Sequence, residues 1–351
     1  MRESRKMDHI HHALRLGPSG GNGLSDIQLV PDSLPETNAY AISLETQIGE
    51  LILSSPIVIN AMTGGALAVS PINQSLAEAA AECGVAMAVG SQMAALKDPI
   101  LTESYSIVRR INPHGIVIAN LGAEATVEQA RAAVDMLEAN ALQIHLNVMQ
   151  ELVMPEGDRD FRGAGERIER IIQSVGVPVI IKEVGFGLSA ATALKLKKRG
   201  AAILDVGGRG GTNFAAIENE RRDQSLAWTN GWGLSTTQSL LEVLPHFSAA
   251  SVIASGGITD SLDAVKALAL GAGAVGIAGA VLRACNSGGA AGAAAFIGEM
   301  EEGIRIAMAA LGARSLAELR EKPLVVSGTT LEWCRERGIE TKGYARRGGQ
   351  D

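Results

Sequence analysis

Two glycine-rich turns in the second half of the chain constrain its fold most strongly. The segments Ser251–Thr259 and Gly273–Gly279 each carry an apolar strand into small residues. Such turns expose backbone N–H groups beside a helix N-terminus, where the helix dipole and unpaired donors favour an anion. Paired turns after the last two strands of a (β/α)8 barrel commonly hold a phosphate. The pair therefore predicts a phosphorylated cofactor or substrate, against the simpler alternative that the glycines only permit tight turns.

Strand-like β-branched runs alternate with amphipathic segments along the chain, which is the pattern of repeated βα units. The eight predicted strands are Pro56–Ala61, Val85–Val89, Gly115–Ala119, Ala141–Asn147, Val177–Glu183, Ala201–Val206, Ser251–Ala254 and Ala274–Ala278. The predicted helices include Pro71–Cys83, Thr126–Ala139, Gly165–Val175, Ser189–Arg199, Thr236–Leu244 and Ser261–Leu270. Near-continuous apolar strands are typical of a parallel sheet covered on both faces, and this number of strands favours a closed barrel. The sequence therefore predicts the α/β class, with a (β/α)8 TIM barrel.

The barrel prediction divides the chain into three parts of one domain. Residues 1–55 are expected to form an N-terminal extension that caps the barrel, residues 56–288 the barrel core, and residues 289–351 the C-terminal helices and tail. Two connections, Met154–Gly165 and Gly207–Gly233, are unusually long. Long structureless connections in compact domains are commonly functional, so we expect these two to act as lids.

Composition excludes several classes of partner. The net charge of −7 disfavours nucleic acid. The three cysteines are odd in number and far apart, which argues against a disulfide framework or a thiolate metal site. The N-terminus lacks the apolar core of a signal peptide, and no apolar run reaches the roughly 18 residues of a membrane span. We expect a cytoplasmic protein with no nucleic-acid or membrane partner.

Polar residues gather where the predicted strands end, on the face where barrel enzymes place their active sites. These residues are Thr63, Ser91, Gln92, Asn120, His145, Asn147, Gln150, Glu151, Lys182 and Thr212. His145 and Asn147 point the same way because side chains alternate along a strand. A purely structural barrel has no need of a polar group on nearly every strand, so the pattern predicts a binding or catalytic face.

Each polar residue also has a simpler interpretation. Asn120 and Ser91 could be helix N-caps, a position that both residue types favour. His145 could be a hydrogen-bonded core histidine, and Glu151 a surface carboxylate instead of an oxygen ligand for Mg²⁺. Lys182 is harder to explain as structure, because an ammonium buried without a partner is costly. A cofactor oxygen or an electron-rich ring would satisfy it.

Several longer motifs occur in the same order as in one known family. They are Arg5–His9, Asn60–Gly65, Val89–Gln92, Ala119–Gly122, His145–Asn147 with Gln150 and Glu151, Lys182–Gly185 and Gly210–Phe214. On these residues the chain resembles the type 2, FMN-dependent isopentenyl-diphosphate isomerases, over nearly its whole length. At Met93 it departs from the pattern, because some relatives carry an arginine there.

The resemblance implies a set of roles for individual residues. FMN would be held by Ala61, Met62, Thr63, Ser91, Asn120, Lys182, Thr212, Gly256, Gly257, Ile258, Ala278 and Gly279. The substrate diphosphate would contact Arg5, Lys6, Ser91, Gln92 and Gln150, with Glu151 on Mg²⁺. His145, Asn147 and Gln150 would be the catalytic residues. The family also implies that the reduced flavin is the active form, that NADPH is its reductant, and that the protein is a homo-oligomer, a tetramer or octamer.

The implied reaction moves a double bond and involves no net redox change. It adds a proton at one carbon and removes another two bonds away, so it requires a dry pocket and a placed proton donor. One alternative is an FMN barrel oxidoreductase of the 2-hydroxy-acid oxidase type, for which Arg209 could bind a carboxylate although Gly207–Gly233 contains no histidine. Another is a non-catalytic sensor of a phosphorylated metabolite, which the many inward polar groups disfavour.

Overall fold

The barrel strands are short and run parallel around a closed ring. The structure, a computed structural model, describes residues 20–348. The strands are β1 (Ile27–Leu29), β2 (Thr46–Ile48), β3 (Leu51–Leu53), β4 (Ile57–Ile59), β5 (Ala86–Ala88), β6 (Val117–Gly122), β7 (Ala141–Leu146), β8 (Val179–Glu183), β9 (Ile203–Asp205), β10 (Val252–Ser255), β11 (Ala274–Ile277) and β12 (Leu324–Val326). Strands β4–β11 form the barrel in sequence order, and β11 pairs with β4 to close it. The predicted (β/α)8 barrel is confirmed.

Helices surround the barrel and cover its outer face. They are α1 (Ser70–Cys83), α2 (Met93–Lys97), α3 (Glu103–Ile111), α4 (Val127–Leu137), α5 (Val148–Val153), α6 (Ala164–Ser174), α7 (Ala190–Lys198), α8 (Phe214–Glu220), α9 (Thr236–Val243), α10 (Ser261–Leu270), α11 (Gly279–Ala310), α12 (Leu316–Arg320), α13 (Gly328–Arg337) and α14 (Lys342–Ala345). Capping boxes start two of them, through Thr126 and Gln129 at α4 and through Ser235 and Gln238 at α9. Aliphatic side chains between strands and helices make up the main core.

Sequence patterns missed the short helices α2, α3 and α5, the last only six residues long, and misjudged one connection. Helices α2 and α3 are five and nine residues long, too short for the helical period to stand out in the window that periodicity needs. The connection Gly207–Gly233 is not structureless, because it contains α8 and a 3-10 turn over Ala227–Gly231. The Asn213 side chain caps α8 by accepting from the Ala216 N–H.

One part of the described N-terminal extension, the hairpin of β2 and β3, covers the end of the barrel opposite the strands' carboxyl ends. The hairpin of β2 and β3 places Ile48 and Leu53 against the bottom layer of the barrel interior. The Thr46 hydroxyl donates to the Gly273 carbonyl at 2.8 Å, just before β11. Strand β1 pairs antiparallel with β12, which joins the extension to the C-terminal part. Within residues 20–348, no helix combines the length and apolar character that crossing a membrane requires.

The boundary predicted between residues 288 and 289 falls inside α11. That helix bends at Gly289, where φ is 61° and ψ is −149°. A glycine adopts this left-handed backbone without steric cost. The first turns of α11, which face the barrel mouth, are thereby offset from the longer segment that follows, and the helix as a whole packs on α1 and α10.

Candidate active site

An open cavity of about 1020 Å³ lies at the carboxyl ends of the barrel strands. Most of the residues that sequence patterns predicted for the site line it. They are Ala61, Met62, Ser91, Asn120, His145, Asn147, Gln150, Glu151, Lys182, Thr212, Gly256, Gly257, Ile258, Ala278 and Gly279. Arg5 and Lys6 lie outside the described residues. The fold thus brings residues from distant parts of the chain to one face, as parallel strands in a barrel require.

Two predicted site residues turn away from the cavity. The buried Gln92 amide donates to the Ala133 carbonyl at 2.9 Å, and its oxygen accepts the Asn120 N–H at 2.9 Å. The buried Thr63 hydroxyl bonds to Asn73. Both side chains join strands to helices, so the structure does not support a direct substrate contact through the Gln92 side chain.

The alternative interpretation of Asn120 as a helix cap is wrong. Asn120 lies inside β6, and its amide donates to Gln143 Oε1 on β7 at 3.0 Å. Its side-chain oxygen lies 2.9 Å from Nδ1 of His145. Asn120 is therefore part of a largely buried polar layer at the cavity floor.

Backbone packs directly on backbone where the glycine-rich loop after β9 meets the turn after β10. The turn after β10 has positive φ at Gly256 and Gly257, 110° and 75°. A Cβ on Gly256 would lie 2.0 Å from the Gly208 carbonyl oxygen, and a Cβ on Gly211 would lie 2.8 Å from the Gly257 nitrogen. Larger residues would separate the loop after β9 from the turn after β10. The glycines therefore form one wall of the cavity.

The N-terminus of α11 opens into the same end of the cavity. Its N-cap is Ala278, whose methyl side chain cannot accept from the first N–H groups of the helix. The Thr212 hydroxyl and the Arg283 guanidinium line the cavity beside Gly279. Helix donors, a hydroxyl and a cation form a donor set that suits a dianionic phosphate. The residues present therefore fit the phosphate of FMN.

Sequence reasoning did not select Arg283. Its Nη1 lies 3.3 Å from the position that a Cβ on Gly279 would occupy, one helical turn earlier. Because residues four apart share a helix face, a cation one turn after the glycine that starts the helix was the available signal.

Asp205 is the second residue that sequence reasoning missed. It is fully buried, and Oδ2 lies 3.4 Å from Nζ of Lys182 on the neighbouring strand. Oδ2 also accepts from Asn60 Nδ2 at 2.7 Å, while Oδ1 accepts from the Ser255 hydroxyl and from the Gly207 N–H at 3.2 Å. An acid within the otherwise apolar strand β9 was the available signal. Lys182, for which a cofactor partner was expected, thus has a partner within the protein.

The neighbouring acid Glu183 is also buried, at the end of β8. Its Oε2 accepts the backbone N–H groups of Val184, Gly185 and Phe186 at 2.7, 3.0 and 2.7 Å. Burial raises the pKa of Glu183 to about 7, against the opposing effect of these three bonds and of Lys182. Glu183 holds the first residues of the connection that follows β8.

The end of β7 and the start of α5 carry the other polar group of the cavity. Asn147 Nδ2 donates to Glu151 Oε1 at 2.9 Å, and Glu151 Oε2 accepts the Asp158 N–H at 2.8 Å. Gln150 Nε2 lies 3.3 Å from Oε1 of the buried Glu218. Strands β7 and β11 stand on opposite sides of the ring, so this group faces the glycine-rich wall across the cavity.

Negative charge collects around Glu151. Glu124 lines the cavity nearby, and burial raises its pKa, with the charges of Glu151 and Asp158 adding to the effect. No set of three or more histidine, cysteine or carboxylate side chains in residues 20–348 is arranged to hold a metal ion. Glu151 could supply one oxygen to Mg²⁺, with phosphate and water oxygens completing the shell.

Comparison with known proteins defines the class. Residues 112–326 match the family model described as FMN-dependent dehydrogenase. The fold is shared with a protein described as a lactate oxidase of Pediococcus acidilactici, with a TM-score of 0.69, 16% identity and 93% of each chain covered. It is also shared with a mandelate oxidase variant, with a TM-score of 0.65, 20% identity and 91% and 96% of the two chains covered. Fold and site therefore define a barrel protein of the FMN-dependent type.

Similarity over the whole chain is more specific. An isopentenyl-diphosphate delta-isomerase of Bacillus pumilus (strain SAFR-032) is 52% identical over 347 residues, which cover 99% of this chain and 98% of the relative. The isomerase of Bacillus cereus (strain AH187) is 53% identical over 348 residues, covering 99% and 100%. The chain belongs to the isopentenyl-diphosphate delta-isomerase family. The oxidases share its fold at no more than 20% identity, which carries no argument for oxidase chemistry.

Proposed function

We propose that this protein interconverts isopentenyl diphosphate and dimethylallyl diphosphate with reduced FMN and Mg²⁺. The observation that carries the proposal is one cavity with two different walls. One wall, at Gly256, Gly257 and the N-terminus of α11, suits a cofactor phosphate. The opposite wall carries His145, Asn147, Gln150 and Glu151, which suit a polar substrate head and its metal ion.

The chain's own residues would hold the substrate and control charge. Gln150 and Ser91 would contact the diphosphate, and Glu151 would supply one oxygen to Mg²⁺. Arg5 and Lys6, outside the described residues, would add positive charge to the same group. His145 and Asn147 would orient the head group so that the hydrocarbon part lies over the cavity floor.

Bound reduced FMN would supply an electron-rich ring and an acid–base atom beside the alkene. The lining residues that would hold it are Ala61, Met62, Asn120, Thr212, Gly256, Gly257, Ile258, Ala278 and Gly279. Lys182 would place its ammonium at the ring's pyrimidine end and favour negative charge there. NADPH would serve only to bring the protein to its active redox state, because the isomerisation itself is redox-neutral.

We further infer a cytoplasmic homo-oligomer, a tetramer or octamer. Trp228 and Trp232 lie on the connection that follows β9, 69% and 53% exposed, with ring centroids 6.4 Å apart. Adjacent exposed tryptophans are typical of a surface that another subunit covers. Light scattering of the purified protein at several concentrations would measure the assembly size.

The oxidase alternative requires Arg209 to bind a substrate carboxylate, and the contacts of Arg209 do not support that role. Nη1 of Arg209 donates to the Gly231 carbonyl at 2.9 Å, so this guanidinium joins two parts of the connection after β9. The same connection contains no histidine to act as a base. A 2-hydroxy-acid oxidase would require both a carboxylate clamp and a base.

The deciding experiment measures product against reductant consumed. Purified protein with FMN and Mg²⁺ is reduced by a small amount of NADPH and supplied with excess isopentenyl diphosphate. We expect many molecules of dimethylallyl diphosphate for each NADPH oxidised, and dithionite should replace NADPH. One NADPH consumed per product molecule would contradict the isomerase proposal and favour a reductase.

A further inference from the structure

A row of hydrogen bonds crosses the barrel interior at the floor of the cavity. It starts at the Asp205 carboxylate, which accepts from Asn60 Nδ2 at 2.7 Å. Asn60 Oδ1 accepts from Gln143 Nε2 at 3.1 Å, and Gln143 Oε1 accepts from Asn120 Nδ2 at 3.0 Å. Asn120 Oδ1 lies 2.9 Å from His145 Nδ1. The four residues before His145 are all at least 96% buried, so water does not interrupt the row.

The first amide of the row has its orientation fixed twice. The Lys182 ammonium and the Gly207 N–H both point at Asp205, which therefore accepts hydrogen bonds as a carboxylate. Asn60 must present its NH₂ group to that carboxylate. Independently, the backbone N–H of Ala61 donates to Asn60 Oδ1 at 2.9 Å. If this amide were turned over, its NH₂ group would face the backbone N–H of Ala61, and two donors would oppose each other.

The orientation then passes along the row. An amide side chain has one accepting oxygen and one donating NH₂ group, so fixing one end fixes the other. Gln143 must donate to Asn60, and Asn120 must donate to Gln143. The Asn120 oxygen is left facing His145. An oxygen that carries no hydrogen cannot donate, so the proton of this contact belongs to Nδ1 of His145.

We infer that Asp205, Asn60 and Gln143, acting through Asn120, hold His145 in the tautomer that carries its proton on Nδ1. They are positioning residues, because none of them reaches His145 directly. All the bonds in the row point the same way, toward the buried carboxylate, so each polarises the next. Reversing the tautomer requires at least the Asn120 amide to turn over in a buried site.

The tautomer decides what His145 can do in the cavity. With Nδ1 committed to Asn120, Nε2 is the nitrogen that gains or loses a proton. A neutral imidazole then offers a lone pair at Nε2, and an imidazolium offers an N–H to a diphosphate oxygen. This reading of Nε2 rests on the proposed function, in which His145 faces the substrate. The assignment of the tautomer does not depend on the proposed function, because it follows from the hydrogen bonds of the row.

The direct test uses the wild-type flavoprotein labelled with ¹⁵N-histidine. Two-bond ¹⁵N–¹H correlation spectra, recorded above the titration range of the ring, identify which nitrogen carries the proton. The signals of His145 are those missing from a His145→Gln variant. We expect a protonated-type shift at Nδ1 and an unprotonated-type shift at Nε2. A proton on Nε2 would overturn the inference without any need for a variant of the row.

Two variants test the row itself. Asp205→Leu removes the accepting carboxylate at the start of the row, and Gln143→Met removes the middle link with little change of side-chain length. Each should populate the Nε2–H tautomer beside the wild-type form. A single Nδ1–H tautomer in both would show that Asn120 holds its orientation without the row and would overturn the inference.

Glu242→Gln is the matched control, because it neutralises another buried carboxylate, 1% exposed, that belongs to a separate cluster with Arg337. It should leave the spectrum of His145 unchanged. The proposed function fails independently of this test, since a correct tautomer with no isomerisation would contradict only the function. Isomerisation with the opposite tautomer would contradict only the row.

Discussion

Nζ of Lys182, a residue that lines the cavity floor, lies 3.4 Å from Oδ2 of Asp205, and both side chains are shielded from solvent. The two residues are direct partners on the neighbouring strands β8 and β9. Asp205 has further donors in Asn60, Ser255 and the Gly207 N–H, which offset the cost of burying its charge. The ammonium is therefore held in place before any cofactor binds.

Lys182→Ala should destabilise the fold as well as weaken flavin binding. Removing one member of a buried ion pair leaves the other charge uncompensated, which typically costs about 3–5 kcal/mol. Denaturant unfolding would measure the loss, and a flavin titration would measure affinity. Lys182→Arg should recover neither fully, because a planar guanidinium places its charge differently.

The double variant Lys182→Ala with Asp205→Asn separates the two effects. It should recover part of the unfolding free energy, since no unpaired carboxylate remains, but it should not recover flavin affinity. If Lys182→Ala alone left both quantities unchanged, Lys182 would have neither role.

The sequence predicted the barrel because its signals are local. Apolar strands, amphipathic helices and glycine turns each depend on a few consecutive residues, and eight repeats of the unit leave little freedom of topology. The cavity residues followed, because side chains at the carboxyl ends of parallel strands must meet on one face.

The hydrogen-bond and ion-pair partners of those residues could not be predicted from local sequence patterns. Gln92 follows its strand like Ser91, yet its side chain turns outward to Ala133. The direction depends on a helix packed from elsewhere in the chain. The pairing of Lys182 with Asp205 also requires the register of two strands, which pattern alone does not give.

Glu183 should make stability depend on pH. Its pKa is raised by burial from 4.5 to about 7, so the folded state binds a proton that the unfolded state releases near pH 4.5. Its contribution to stability is therefore present at low pH and is lost as the pH rises from about 4.5 to about 7, by up to about 3 kcal/mol. Glu183→Gln should flatten this part of the profile.

Unfolding free energies measured at several pH values across that window would test the effect. Glu103→Gln is a suitable control, because Glu103 is exposed and Arg110 lowers its pKa, which moves its titration below the window. A wild-type profile that rises with pH through the window, or a Glu183→Gln profile as steep as wild type, would contradict the prediction.

Glu151→Gln should raise the Mg²⁺ concentration needed for activity and leave flavin binding nearly unchanged. The substitution removes a charged oxygen, and disturbing residues around a bound metal typically costs about 10- to 100-fold in metal affinity or activity. Glu151 lies on α5, across the cavity from the glycine-rich wall. A Mg²⁺ titration of the initial rate, beside a flavin titration, would measure both.

Asp160→Asn provides the comparison on the same connection, since Asp160 is exposed, pairs with Arg162 and does not line the cavity. It should leave the Mg²⁺ midpoint unchanged. An equal midpoint for Glu151→Gln and wild type would mean that substrate and water hold the metal alone.

Arg283→Ala should weaken FMN binding without disturbing the fold. The guanidinium lines the cavity beside Gly279 at the start of α11, where the helix N–H groups are not capped by a side chain. A hydrogen bond to a charged group contributes about 1.5–3 kcal/mol, which corresponds to roughly 10- to 100-fold in affinity. Riboflavin, which lacks the phosphate, should bind the variant and the wild-type protein equally.

Arg305→Ala is the control on the same helix, because Arg305 lies beside Glu301 and away from the cavity. This variant should bind FMN like wild type. Equal FMN affinity for Arg283→Ala and Arg305→Ala would place the phosphate beyond the reach of Arg283.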